Sequence, residues 1–507
     1  MKDNLKKQSR GRKTLINIIT ELLLQFITII CGFILPKLIL SNFGSTYNGI
    51  VHSISQFIGC VELLKSGIGS VTRAALYKPL ANNDRNEISK VVFTTERFLR
   101  KISLIFIIFI IVFSIVYPLI IKEKLPFYDI FLLVLILSIS TFVQYYLGLS
   151  YQMVLQADQK NYIISLVQMI TIIINTLVSA FLIFCGGSIH IVKFGSAIVF
   201  IIPPIFYSLY VKRKYNLNKK VSLREDLISQ RWDAFGHQVA NFININTDVM
   251  VITVFLRLSE VSVYSIYNMI TYSLKKIISA ITSSVTGAFG NVYAKGEKEI
   301  LLISFKQYEH LLFWVSTIIY TSTAFLILPF VNIYTNGILD ANYNRPLFAV
   351  LMCVACFFSC VKLPYETIIY VAGHFKDTKK AAYIESAINI ILSCILVNVF
   401  GIVGIIIGTI IASIYRLIFY NYYVSKRLIN YNSNKIIFKF LFTIISIIMS
   451  YLIISLIKFN IYNYITWLLY AIVVFSIVLL CSFIISFLMY KDDTCGIIVR
   501  LKKLIIK

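Results

Sequence analysis

Fourteen long apolar stretches follow one another through this 507-residue chain, with hardly a polar domain between them. A bilayer core takes about 20 apolar helical residues to cross, and within it the backbone must satisfy its own hydrogen bonds, which leaves helices and closed barrels. The stretches are helix-length, and 58% of the residues are hydrophobic. The expected fold class is therefore an all-α polytopic membrane protein. Spans are predicted at 14–40, 47–72, 102–121, 129–150, 162–186, 190–211, 234–256, 262–290, 307–331, 346–370, 381–399, 402–424, 437–457 and 464–490. Gly186-Gly187 and Gly401 are read as the breaks that divide two longer apolar runs.

The net charge of +25, from 48 Lys and Arg against 23 Asp and Glu, is spread in a way that speaks for orientation. Basic residues crowd alternate connections: Lys2 to Lys13, Arg73 to Lys101, Lys212 to Arg231, and the tail with Arg500, Lys502, Lys503 and Lys507. The opposite connections hold only Lys122, Lys124, Lys193, Arg257, Arg345 and Lys458. This is the positive-inside pattern, and an even number of spans places both termini in the cytoplasm. The same basic groups attract anionic lipid headgroups. Nucleic acid is excluded as a partner, because the cations flank spans and form no continuous patch. The nine cysteines make no disulfide or metal framework. Cys353, Cys356 and Cys360 share a helical face without a neighbouring His or acid, so packing is expected of them. No cleavable signal peptide is expected, since the first apolar run is too long and lacks a small-residue cleavage site.

The chain reads as two six-helix pseudo-symmetric halves plus two C-terminal helices. The expected domains are 1–211, a cytoplasmic linker at 212–233, a second half at 234–424, and the added helices and tail at 425–507. Weak self-similarity supports the division. The turn ending at Tyr47 is echoed at Tyr264, and Asn175 with Gly195-Ser196 is echoed by Asn389 with Gly408-Thr409. Parallel repeats of this kind are a common transporter plan, with substrate between the halves.

Three segments carry a family resemblance. They are Val61-Glu-Leu-Leu-Lys-Ser-Gly-Ile-Gly-Ser-Val-Thr-Arg73 with Asn82 to Ser89, Asn246-Thr-Asp248 with Val263-Tyr264, and Gly401-Ile-Val-Gly404-Ile-Ile-Ile-Gly408. In this order they resemble motifs of lipid-linked oligosaccharide flippases. Those are the polysaccharide-biosynthesis proteins of the multidrug/oligosaccharidyl-lipid/polysaccharide exporter superfamily. The resemblance spans essentially the whole chain. It implies movement of undecaprenyl-pyrophosphate-linked repeat units from the inner to the outer leaflet of the bacterial cytoplasmic membrane, for capsule, O-antigen or exopolysaccharide assembly. Implied partners are the polyprenyl-pyrophosphate-linked glycan, membrane lipids, and a polysaccharide polymerase and glycosyltransferases.

Ionisable groups inside spans cost at least about 2.5–3.5 kcal/mol unless they face protein or water, so they point to function. Glu62, Lys65, Gly69 and Arg73 share one helical face. Lys65 and Arg73 are candidate phosphate contacts; the rival account is a Glu62–Lys65 pair with Arg73 reaching the headgroups. Tyr264, Asn268, Thr271, Lys275 and Ser279 make a second stripe. Lys275 lies about 16 Å deep at 1.5 Å per residue, and is the leading candidate to meet an anionic substrate. Asn241, Asn244 and Asp248 share a face; Asp248 is a candidate coupling or gating group, for a proton or sodium gradient, or a structural partner of Lys275. Pro36 is a candidate gating kink. Beside it, Lys37 is a substrate contact or a residue snorkelling to the outer boundary. Lys362 and Glu366 are expected to form a local i,i+4 ion pair.

No phosphate loop, zinc-ligand spacing or nucleophile elbow is present, so neither a cofactor nor enzymatic activity is expected, and a gradient or the membrane potential supplies the energy. The rivals are a cation-coupled multidrug exporter of the same superfamily, a peptidoglycan-precursor flippase, and a membrane glycosyltransferase or polymerase. Against the last, the largest outer connection, Val331 to Arg345, has one carboxylate, Asp340.

Overall fold

The computed structural model describes the backbone at 2–123, 125–218, 221 and 235–505. Side chains are described over these residues from 16 onward, except at 61–67, 70, 235–241, 284, 375 and 500–505. Among the described residues every regular element is helical. Most of the expected linker at 212–233 lies outside them. By its contacts the chain divides into two compact units. The first runs to Phe242 and takes in Arg257–Ser262, and the second comprises Ile243–Leu256 and everything from Val263.

The first unit is built from α1 (Lys2–Ile58), α2 (Glu62–Asn82), α3 (Arg85–Ile120), α4 (Phe127–Val143), α5 (Leu149–Ala157), α6 (Asn161–Phe184) and α7 (Ile189–Tyr215). A π-helical turn, Gln144–Gly148, joins α4 to α5. α1 is continuous through Pro36, and its departure from helical φ/ψ is at Gly44, φ 81°. A residue with no Cβ takes that conformation without strain. The expected turn between the first two spans is thereby reduced to one residue. α2 extends to Asn82, beyond the span predicted to end at 72. The break at Gly186-Gly187 is present, with Ser188 capping α7. Leu76, Val91, Val92, Tyr151, Val154, Tyr207 and Val211 form a core contributed by α2, α3, α5 and α7.

α8 (Phe235–Phe255) and α9 (Leu258–Ala294) cross the division in sequence. The second unit continues with α10 (Lys298–Tyr334), α11 (Pro346–Val361), α12 (Leu363–Val371), α13 (Phe375–Phe400), α14 (Ile402–Tyr423), α15 (Lys435–Ser455), α16 (Tyr464–Met489) and α17 (Lys491–Ile505). Gly401, φ 58°, separates α13 from α14 as expected. α16 begins with a capping box of Asn463 and Thr466, which satisfies its first orphan amides. α15 and α16 pack on α10 through Ile318, Ile454, Val474 and Val478. Trp314 Nε1 donates to Ser482 Oγ at 3.1 Å, and Trp467 Nε1 to the Leu326 carbonyl at 3.0 Å.

Eleven helices among the described residues are long and apolar enough to cross a membrane. Leu104, Ile105, Ile108, Ile111, Val112 and Ile115 make a broad exposed apolar surface on α3, far more than a water-soluble chain leaves uncovered. The protein is a multi-pass helical membrane protein.

Candidate functional site

The second unit concentrates buried polar chemistry where α8, α9, α13 and α14 meet. Asp248 of α8 is 4% exposed. Its Oδ1 accepts from Thr409 Oγ1 of α14 at 2.8 Å and its Oδ2 from Tyr264 OH of α9 at 3.1 Å. Two hydroxyl donors stabilise a carboxylate but leave its charge uncompensated. Asn389 and Ser393 of α13 complete the group. Ser393 Oγ lies 3.0 Å from Asn389 Oδ1 and 3.3 Å from the Ile405 carbonyl. Thr409 Oγ1 is also 3.4 Å from Asn389 Oδ1 and 3.3 Å from the Ile405 carbonyl. A hydroxyl has one proton to give, so Thr409 and Ser393 face more oxygen acceptors than they can serve. Such an excess of oxygen lone pairs around a buried carboxylate suits a proton or a hard monovalent cation. Among the described residues there is no cluster of three His, Cys, Asp or Glu of the kind that holds a transition metal.

One turn earlier on the same face of α8 stands a second constellation. Asn244 Nδ2 donates to Glu385 Oε2 of α13 at 2.9 Å. Glu385 also takes Lys362 Nζ at 2.8 Å and Arg416 Nη1 of α14 at 3.0 Å. Arg416 donates to the Tyr420 hydroxyl and lies 4.3 Å over its ring centroid. Two cations share one buried carboxylate, and Glu366, bonded to Tyr370, stands near enough to act on Arg416. Lys362 therefore pairs across helices with Glu385, in place of the local partner Glu366 that the sequence suggested. The reason is geometric: Lys362 sits at the junction of α11 and α12, which turns its side chain toward α13.

Lys275 of α9 is half-buried, and its charge acts on the thiols of Cys356 and Cys360 on α11. Among the described residues its Nζ makes no hydrogen bond or ion pair, and Asp248 has hydroxyl partners in its place. Asn268, half-buried two turns earlier, shares the face. Lys276 sits 5.2 Å over the Tyr272 ring and is exposed.

In the first unit Arg73 Nη1 donates to Gln156 Oε1 at 3.0 Å, giving it a protein partner. Lys37 is half-buried and has interactions of its own, and Pro36 is an interior helical residue. The side chains of Glu62 and Lys65 lie outside the described residues, and with them the expected Glu62–Lys65 pair and the expected phosphate contact of Lys65.

Sequence reasoning passed over Glu385, Arg416, Glu309, His310 and Lys439. Glu309 of α10 is fully buried and accepts from Tyr365 and, at 3.2 Å, from Tyr431. Burial, then the Glu309 charge, push the Tyr431 phenol well above its usual range, so it remains a donor. Lys439 lies 3.7 Å from Asp493 and 3.7 Å over the Tyr490 ring, while His310 Nε2 meets Ser486 Oγ at 2.8 Å. With His310 Nε2 also 3.3 Å from Thr494 Oγ1, this group ties α16 and α17 to α10 and α15 to α17. Each charge interrupts a predicted span, which is the signal that marks it.

No family model matches the chain, and no curated protein matches it by sequence. Solved structures do share its fold. A lipid II flippase, MurJ, in an inward closed conformation superposes with a TM-score of 0.71 at 18% identity, over 94% of this chain and 99% of that one. An inward-facing multidrug resistance transporter of the MATE family, in the MOP superfamily, gives 0.55 at 14% identity over 80% of this chain and 98% of its own. The chain has the fold that these two membrane proteins share.

Proposed function

We propose that the protein is a flippase which carries a polyprenyl-pyrophosphate-linked glycan from the inner to the outer leaflet of the bacterial cytoplasmic membrane by alternating access. In this reading fourteen spans form two six-helix halves and an added pair, with both termini cytoplasmic. The observation that carries it is Lys275, a cation at mid-span with no acid partner among the described residues, in a fold shared over 94% of the chain with a lipid II flippase. A cation left uncompensated at that depth is costly, and an anionic headgroup removes the cost. Lys65, Arg73 and Lys37 are the further cations assigned to the pyrophosphate path, with Asn268 and Asn244 as neutral contacts. Asp248, with Asn389, Ser393 and Thr409, is assigned to coupling by a proton or sodium ion. Glu62 and Pro36 are assigned to gating.

Transfer of a fluorescent lipid-linked glycan across proteoliposomes tests the reading. Lys275→Ala at normal abundance is expected to slow transfer by roughly tenfold or more, the worth of a charge-assisted contact. Undiminished transfer removes Lys275 from the mechanism. A second reading, a cation-coupled exporter of drugs, draws on the acceptor-rich Asp248 site. It is favoured if the same vesicles move a lipophilic cation and leave the glycan in place.

A further inference from the structure

The first unit holds a cavity of about 290 Å³ that none of the assigned residues lines. Ser140, Gln144, Gly148 and Gln152 recur every fourth residue through the π turn and α5, so they face it together. Opposite stand Gln168 and Thr171 of α6, and Phe200, Pro203, Pro204 and Tyr207 of α7 close it. Gly148 is required here: a Cβ would fall 2.8 Å from the Pro204 Cα, so any side chain would push α7 off the wall. Pro203 and Pro204 have no N–H to give the carbonyls of Val199 and Phe200.

The lining has no charge. The carboxamides of Gln144, Gln152 and Gln168 make no hydrogen bond to another described residue. The same face of α6 continues to Asn175 and Ser179, where Oδ1 and Oγ are buried without a partner among the described residues. A glutamine amide offers two donors and an acceptor. A phosphate or carboxylate entering such a place would lose its water with no counter-charge to replace it. An apolar guest would leave three amides desolvated and unpaired. A neutral ring with several hydroxyls satisfies both demands, since each hydroxyl both gives and accepts. The Tyr207 hydroxyl is turned to the Ile164 carbonyl at 3.3 Å, which leaves its ring face as an apolar wall. The volume, just under the roughly 300–1,000 Å³ usual for small-molecule pockets, suits one sugar ring.

We infer that this cavity is a binding site for a single uncharged pyranose unit, separate from the charged groups of the second unit. The inference goes with the flippase reading, for which it names a neutral sugar in the carried glycan.

The test uses the full-length protein in nanodiscs and titrates methyl glucoside, methyl galactoside, methyl N-acetylglucosaminide, methyl glucuronide and N-acetylalanine amide by saturation-transfer NMR and calorimetry. At least one neutral glycoside is expected to bind saturably, and the glucuronide about tenfold more weakly or not at all, as befits an anion with no partner. Gln152→Leu and Gln168→Leu are each expected to weaken the neutral ligand about fivefold, the worth of one neutral hydrogen bond. Both variants are checked for unchanged thermal unfolding, and either one, if folded, suffices. Equal binding of the glucuronide or the amide, no neutral binding, or full affinity in a folded variant overturns the site. Glycan transfer in proteoliposomes runs in parallel. Transfer without glycoside binding sinks the cavity alone, whereas glycoside binding without transfer sinks the flippase reading alone.

Discussion

Both units bury ions, the first holding Glu96 against Arg100 and Tyr151 and enclosing Lys193, but their polar clusters meet desolvation in different ways. The first surrounds its cavity with neutral amides, Gln144, Gln152 and Gln168, which remain unpaired among the described residues. The second buries formal charges and binds nearly all of them: Glu385 to Lys362 and Arg416, Asp248 to Thr409 and Tyr264, Glu309 to Tyr365 and Tyr431. The contrast follows from desolvation. An unpaired amide costs about 1–3 kcal/mol on mutational scales, whereas an isolated ion costs several times that and must be matched. Neutral groups can therefore wait for a guest, and ions are held by partners that are already part of the fold. Lys275, half-buried on α9, and Lys193, 7% exposed on α7, are the exceptions, with no acid partner among the described residues.

The sharpest way to break this comparison is Glu385→Ala. It leaves Arg416 buried and Lys362 half-buried without the acid they share, and is expected to cost roughly 3–5 kcal/mol, seen as a fall in the thermal unfolding midpoint in nanodiscs. Replacing Arg416 by Met in the same chain should recover part of the loss. A midpoint equal to that of Gln152→Leu would end the distinction between the units.

Asp248→Asn comes next. It keeps the hydrogen-bonding shape and removes the charge, so the fold should persist while dependence of transfer on a proton or sodium gradient disappears. A loss on the order of 5–150-fold is the range that site coupling spans. Gradient-driven transfer at the original rate would remove Asp248 from coupling. Lys275→Arg separates charge from shape: transfer should stay within about threefold if a cation suffices, and far below that if the compact ammonium is needed. Smallest is Trp314→Phe, which deletes the bond to Ser482 and should cost about 0.5–1.5 kcal/mol. Denaturant titration reads this shift, and transfer should be unaltered because the contact lies where α16 meets α10.

Much of the architecture was open to reading from local pattern. The interruptions at Gly186 and Gly401 were visible as glycines in apolar runs, and both appear as positive-φ breaks between helices. Asn244 and Asp248 were placed on one face by their spacing, and both do point into the second unit's polar clusters. Thr409 and Asn389 were noticed only as echoes of the first half, yet they stand beside the Asp248 carboxylate. The glutamine cavity gave no signal, because Gln144, Gln152 and Gln168 look like ordinary polar residues until α5 and α6 face each other.

What the residues dictate locally is the membrane class, the helices and the faces they share, since burial in oil and a period of 3.6 act within a single segment. Who pairs with whom was settled by packing. Lys362 had an acid four positions away and took one on α13, because a side chain bonds the group its helix is turned toward. Partners so far apart in the chain leave no trace in spacing, and the energy that selects them exists only once the helices are docked.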